Sequence, residues 1–511
     1  MKRTPLSVCW PYSDPTAPMV PESPCRDPGG NPGPKQALHS RYNPQGEAEK
    51  YLGSLDLSPG IRFFILIEPG EEYLIPLLHQ QFPAVRIIAL HIQAPKTPTV
   101  AQETPAARWS PEAGIPLQTF LEQEIPDTLA AAVRIIEWRP ALAAYGEGYR
   151  WLLRETVDFI KRIDANMRTA QAFGRRWFRN FFKNLLLVQR VLVPDHAASI
   201  PVIITAAGPG LEEAAPLIQA LQRQSPHQIL AVSSSVQALR WRGILPDLVI
   251  TTDGGGWACF HLYECLRGLD AQASLVLAAS LSAALPSQCS RLVLLPISDG
   301  SLWQTLILQG LGIPFISLAQ RGTVSASALD LALILTQGKI YLAGMDLAHQ
   351  DIRTHARPYG FDRLLEEGAS RLNPVYTQGF TRSRAILAGR SHDIYAAWFR
   401  QHLQTYPERL YTLGPHNPVF ENLKPGTRSR QPGRPAVVRT REISWQDNPV
   451  KQGGALLVKA LANPRIGAKL SRELSSLLAP GESEAHKVET LSALMLSLIE
   501  PYERARAGKD G

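Results

Sequence analysis

The stretch PVIITAAGPGLEEAAPLIQALQRQSPHQILAVSSSVQALRWRGILPDLVITTD, Pro201 to Asp253, leaves few folds open. Three β-branched apolar runs punctuate it: Val202-Ile203-Ile204, Ile229-Leu230-Ala231-Val232 and Leu248-Val249-Ile250. Between the first two, Leu211 to Arg223 has helical character. Strand, glycine turn, helix and strand in that order predict a parallel βαβ unit. Each run ends in small or polar residues: Ala206-Ala207-Gly208-Pro209-Gly210, Ser233-Ser234-Ser235 and Thr251-Thr252-Asp253-Gly254. Ligands of open α/β sheets sit outside the carboxyl ends of the strands, so these clusters are expected to converge on one crevice.

Gly208 and Gly210 permit close backbone approach, and the helix that follows offers N–H groups to an anion. The Gly-Pro-Gly turn lacks the spacing of a dinucleotide fingerprint and the lysine of a phosphate loop, and Pro209 removes one donor. A phosphate site and an ordinary tight turn both fit these residues.

Three motifs carry a family resemblance: AAGPGLEE, WRGILPDLVITTD, and GTVSASALDLALILTQGKIYLAGMDLAHQDIRTHA from Gly322 to Ala356. They resemble the core of the Maf family, the motility-associated flagellin glycosyltransferases. That core is similar to archaeal 6-hydroxymethylpterin diphosphokinase-like proteins and to bacterial sialyltransferases, which use a CMP-activated nonulosonic acid. The resemblance extends upstream through Leu38 to Leu52 and Phe173 to Leu186. It implies a glycosyltransferase that moves a nonulosonic, sialic-acid-like sugar from a CMP donor to Ser or Thr of flagellin, with no metal and no cofactor beyond that donor. It also admits an ATP-dependent pterin diphosphokinase, with Asp253 and Asp346 on Mg²⁺, or a non-catalytic flagellar assembly protein on a degenerate transferase fold.

The expected donor contacts are Gly208, Pro209, Gly210, Ser233, Ser234 and Asp253, with Gly322, Thr323 and Ser325 across the crevice. By resemblance the last three hold the donor's phosphate and carboxylate, and a small-residue turn opening a helix suits an anion; a plain helix cap is the alternative. Asp346 follows the run Ile340 to Ala343. The resembled sialyltransferases place tyrosines shortly after it, whereas Ala348 and His349 stand here. His349 is therefore assigned to the phosphate and His355, in the loop Gln350 to Pro358, to proton removal, for which imidazole has a suitable pKa. Gly210 stands where the family has Ser, and Gly254 where it often has Pro. Trp257 is expected either to stack on a base or sugar or to anchor the core.

With 511 residues, 45% hydrophobic and 19% charged, the chain has the length and composition of a globular protein of two or three domains. No run of eighteen apolar residues exists, so no membrane span is expected. The N-terminus lacks an apolar secretory segment, so a cytoplasmic location is expected. The five cysteines show neither disulfide nor zinc spacing. The net charge of +8 and pI of about 9.2 come with far more Arg than Lys, and no basic helix interleaved with aromatics marks a nucleic-acid reader.

The expected architecture is α/β: a central Rossmann-like, mainly parallel sheet domain, a smaller N-terminal α/β domain, and a helical C-terminal region. Its divisions are a Pro/Gly-rich segment at 1–37, an N-terminal Rossmann-like domain at 38–130, a helical connection at 131–200, a sialyltransferase-like catalytic domain at 201–358 and a mostly helical region at 359–511. In the N-terminal domain, Phe63 to Ile67 and Val85 to Leu90 predict strands, with a helix over Glu71 to Gln81. The turn Glu68-Pro69-Gly70-Glu71-Glu72 sets three carboxylates where a Rossmann fold binds phosphate, which predicts a unit without nucleotide. Trp138 to Val193 predicts two helices. The cations Arg175, Arg176, Arg179 and Lys183 form a solvated face, and Asn180 and Asn184 bond between domains. Ile394 to Tyr406, Lys469 to Leu478 and Thr490 to Arg506 predict further helices.

Overall fold

The computed structural model describes residues 37–57, 60–95, 103–125, 132–193, 199–267, 275–347, 355–378, 408–414, 439–478 and 488–504. It also describes 129, 380, 396, 398–399, 403, 406, 420 and 423–425. The Pro/Gly-rich start, His349 and most of Ile394 to Tyr406 lie outside these residues. Two compact units divide the chain between Ala172 and Phe173.

The first unit holds a four-stranded parallel sheet of order β3-β2-β1-β4, with β1 Phe63–Ile67, β2 Arg86–Leu90, β3 Ala107–Trp109 and β4 Val133–Glu137. Every residue of β1 is buried, as a strand covered on both faces requires. Helix α1 (Pro44–Gly53) starts where the Asn43 side chain accepts the Gly46 N–H at 2.8 Å. Helices α2 (Leu74–Gln81), α3 (Leu117–Glu124) and α4 (Arg139–Tyr145) follow.

The turn after β1 differs from the sequence expectation. Only Glu71 of its three carboxylates is exposed; Glu68 and Glu72 are buried. Glu72 accepts two N–H groups of Arg108 at 2.9–3.1 Å and lies 3.0 Å from His91 Nε2. Glu68 accepts the Ile92 N–H at 2.6 Å and lies 3.5 Å from His91 Nδ1. Burial disfavours a charged imidazole, but bonds to Glu68 and Glu72 outweigh it and raise His91 to about 9. The local backbone is left-handed at Glu68 (φ 47°) and Glu72 (φ 65°), which the buried pairings over-determine.

One helix, α5 (Glu147–Leu185), stands where two were expected; it begins in the first unit and ends in the second. Gly174 does not break it. A Cβ there would lie 2.3 Å from the Leu477 carbonyl, so the glycine serves close packing inside the second unit.

The second unit is built on one large sheet. Its strands are β5 (Arg190–Val193), β6 (Val202–Thr205), β7 (Gln228–Val232), β8 (Leu248–Thr251), β9 (Val276–Ser280), β10 (Val293–Ser298), β11 (Ile316–Ser317), β12 (Ile340–Ala343), β13 (Leu410–Leu413), β14 (Lys424–Pro425) and β15 (Arg439–Glu442). The order is β14-β13-β12-β6-β7-β8-β9-β10-β5-β15, with β11 also paired to β10. All pairs are parallel except β15 with β5. The sheet thus draws strands from both sides of 201–358. β6 and β8 are buried throughout, as their unbroken β-branched runs require.

Helices α6 (Leu211–Gln224), α7 (Val236–Trp241) and α8 (Cys259–Leu266) join consecutive strands from β6 to β9. α6 buries Leu211, Ala214, Ala215, Ile218 and Leu221, one stripe at helical spacing. α9 (Leu302–Gly310) precedes β11, and α10 (Val324–Leu335) leads from β11 to β12. Three C-terminal helices, Pro449–Leu461, Gly467–Leu478 and Val488–Glu503, complete the described part. The first of them was not expected. Its Gly453-Gly454 pair reads as a helix breaker, but the two glycines are buried, Gly453 against Ile307 and Phe182 and Gly454 against Ile499.

Candidate functional site

The chain advances from β6 through β7, β8 and β9 to β10, then returns through α10 to β12 on the far side of β6. Right-handed crossovers made in opposite directions put their helices on opposite faces of the sheet. So α6, α7 and α8 cover one face, and α10 covers the other, packed on β6, β7 and β8. The reversal between β6 and β12 is a topological switch point, where such sheets open a crevice at the carboxyl edge. All the sequence-chosen loops leave carboxyl ends of parallel strands, and so share that edge.

At the switch point the chain closes on itself. The Gly208 N–H donates to the Gly344 carbonyl at 2.9 Å, and the Gly210 N–H donates to Asp346 Oδ2 at 2.6 Å. Leu211 and Glu212 N–H groups donate to the Gly208 and Pro209 carbonyls at 3.0 Å. A Cβ on Gly208 would lie 2.6 Å from both Asp346 Oδ2 and the Gly344 carbonyl. Close approach here is made to Asp346, and the Gly210, Leu211 and Glu212 N–H groups are occupied. Asp346, expected among the catalytic groups, caps α6.

After β7, Ser235 Oγ lies 3.0 and 2.8 Å from the Thr205 and Val232 carbonyls, which share its one proton, so the hydroxyl bridges two strand ends. Ser233 is buried and Ser234 half-buried. After β8, Asp253 is exposed, and its Oδ1 accepts the Gly255 N–H at 2.7 Å. Trp257 is 63% exposed, which removes the core-anchor reading.

A second carboxylate cap closes α9: Glu473 accepts the N–H groups of Leu302 and Trp303 at 3.2 and 3.4 Å. Burial pushes its carboxyl up to about 7 against the pull of those two donors.

α10 begins differently. Gly322 is left-handed (φ 73°), and Thr323 at the cap position makes no side-chain cap bond. Gly322 is exposed, and Thr323 and Ser325 are half-buried. No protein carboxylate is found on this first turn among the described residues. The nearby cation Arg321 is turned to Asp330 at 2.8 Å and over the Trp398 ring at 5.3 Å.

The segment 355–362 is strapped to the end of β6 and the start of α6. The Ala356 N–H donates to the Ala207 carbonyl at 2.8 Å, and the Arg357 N–H to Glu212 at 2.9 Å. Arg242 donates to the Arg357 carbonyl at 2.6 Å. His355 stacks flat on Tyr359, with ring centres 4.1 Å apart and 11° between planes. His261 lies 5.2 Å from Tyr359 on the same strap; burial holds it neutral at about 4, with Asp253 pulling the other way.

Asn180 and Asn184, expected to bond between domains, do so inside this unit. Asn180 donates to the Gly254 and Ser282 carbonyls at 3.3 and 3.1 Å, and Asn184 to those of Leu281 and Ala283 at 2.8 Å. They fix the loops after β8 and β9. Arg176, Arg179 and Lys183 are exposed, as a solvated face requires, while Arg175 donates to the Leu478 carbonyl at 2.5 Å. The caps by Asp346 and Glu473 have no sequence signal, because each joins residues more than a hundred positions apart.

The strand order defines a mainly parallel α/β domain whose chain reverses direction between β6 and β12. Residues 175–351 match the family model described as 6-hydroxymethylpterin diphosphokinase MptE-like. An uncharacterized protein of Treponema pallidum (strain Nichols) is 30% identical over 313 residues, 60% of this chain and 66% of the relative. Among solved structures, the Maf glycosyltransferase from Magnetospirillum magneticum AMB-1 is similar at 14% identity and a TM-score of 0.45, over 92% of this chain and 79% of that one. No described helix is long and apolar enough to cross a membrane.

Proposed function

We propose that the protein is a glycosyltransferase that moves a nonulosonic sugar from a CMP donor to a serine or threonine hydroxyl of flagellin, in the cytoplasm. The observation that carries this reading is the uncapped start of α10, which follows β11 at the carboxyl edge of the sheet. Its backbone N–H groups and the Thr323 and Ser325 hydroxyls suit an anion such as the donor's phosphate. The sequence motifs supply the sugar class.

In the reaction, the anomeric carbon–oxygen bond to phosphate breaks and CMP leaves with the electron pair. The acceptor oxygen bonds to the anomeric carbon and gives up its proton. The α10 start stabilises charge gathering on the leaving phosphate. His355, held on the strap, takes the proton.

The match to an MptE-like model favours a second reading, ATP-dependent diphosphoryl transfer to a pterin. That chemistry asks for carboxylates on Mg²⁺ between ATP phosphates. Asp346 is held by the Gly210 N–H, and only Asp253 of the pair is exposed. Thermal shift with CMP, and with ATP in the presence and absence of Mg²⁺, separates the readings. Stabilisation by CMP without metal supports the transferase; stabilisation only by Mg²⁺-ATP overturns it. An intact-mass comparison of flagellin from wild-type and deletion strains tests the acceptor.

A further inference from the structure

The turn after β8 carries an aromatic surface that the reaction above does not use. Trp257 lies over Phe260, with ring centres 5.7 Å apart and planes 21° apart. Phe361, from the strap, meets Trp257 at 6.5 Å and Phe260 at 5.8 Å, so two separate segments brace the platform. Four residues before Trp257 stands Asp253. Its Oδ1 is fixed by the Gly255 N–H, and no Lys or Arg pairs with it among the described residues. A Cβ on Gly256, the residue before Trp257, would meet nothing within 4 Å, so the backbone there is uncovered.

These features select a ligand by chemistry. A flat indole face attracts the C–H face of a ring that has no charge of its own. An exposed carboxylate accepts hydroxyl protons in pairs and repels phosphate or carboxylate. A nucleotide's phosphates are therefore disfavoured at this spot, and a hydrophobic segment would offer the exposed Asp253 carboxylate no donor beyond the Gly255 N–H. A polyhydroxylated ring satisfies both groups. We propose that Trp257, braced by Phe260 and Phe361, forms with Asp253 a subsite for a neutral sugar ring. This extends the transferase reading, on which the subsite's role rests, although binding of the ring itself does not depend on it.

The test is saturation-transfer NMR on the full chain with glucose, galactose, mannose and N-acetylglucosamine. At least one should receive saturation at ring C–H protons. Affinity should fall about tenfold, the scale of one lost stacking or hydrogen-bonding contact, in Trp257→Ala and in Asp253→Asn, and hold in Trp257→Phe. Both lead residues are exposed, so folding should survive; should Trp257→Ala fail to fold, Trp257→Phe and Asp253→Asn decide. Absence of binding by all four sugars overturns the proposal, as does wild-type binding in both Trp257→Ala and Asp253→Asn. A wild-type dimer that Trp257→Ala converts to monomer in sedimentation velocity also overturns it, since a second copy would then cover the platform. CMP-induced thermal shift, read in the same samples, reports the transferase site separately.

Discussion

Helices α6 and α10 both start at the carboxyl edge of one sheet, yet among the described residues only the start of α6 is filled. Asp346 sits on α6 and makes with the Gly210 N–H the contact an anionic ligand would make. Glu473 does the same for α9. On α10 the cap side chain, Thr323, makes no such bond. Positive potential and unpaired N–H groups gather at helix starts, so each needs an anion or water. Where the chain supplies its own carboxylate, the start is architecture; where it withholds one, an incoming anion has a place. Glycine content does not make the distinction, since Gly208 and Gly322 flank the filled and the open start alike.

The sharpest way to extend this contrast is through the base. His355→Ala should lower transfer by about 10²- to 10⁴-fold, the scale of a lost general base, and leave CMP affinity unchanged in calorimetry. A parallel collapse of CMP binding would move His355 from the acceptor side to the phosphate side.

Next in size is the open start. Hydrogen bonds to a charged group contribute about 1.5–3 kcal/mol each, so the double change Thr323→Ala, Ser325→Ala should weaken CMP binding at least about 10²-fold. Its melting temperature should stay at the wild-type value. Unaltered CMP binding would remove the functional meaning of the open start.

At the filled start the effects should be reversed. Asp346→Ala strands the Gly210 N–H and should lower stability by about 1–3 kcal/mol in urea titrations, while the folded fraction binds CMP normally. Lost binding with stability intact would invert the comparison.

The smallest effect concerns the α9 cap. Glu473 has its folded pKa raised from 4.5 to about 7, so the folded chain keeps a proton that the unfolded chain releases. Stability should therefore be highest below about pH 4.5 for this group and decline as pH rises through about 7. Glu473→Gln should flatten that part of the pH profile; an unchanged slope would assign it to another group.

The strands were legible because Val202-Ile203-Ile204 and Leu248-Val249-Ile250 are unbroken β-branched runs, and sheets buried on both faces demand them. The start of α10 was legible because Gly322, Thr323 and Ser325 are neighbours in sequence. What escaped was contact between distant residues. Nothing near Asp346 announces Gly210, and nothing near Glu473 announces Leu302. The helix Pro449–Leu461 went unread for the same reason: its Gly453-Gly454 pair lowers local propensity, and its support comes from Ile307, Phe182 and Ile499, far away in sequence. Glu68 and Glu72 read as carboxylates repelling phosphate, while their partners lie elsewhere, His91 just after β2 and Arg108 on β3.

Those four residues bear on how the N-terminal unit can vary over generations. Removing one partner from a buried ionic group leaves the others uncompensated, a larger loss than replacing the whole set by apolar side chains. Single steps at Glu68, Glu72, His91 or Arg108 therefore descend into a fitness trough. Homologous chains should carry the quartet intact or lack it entirely.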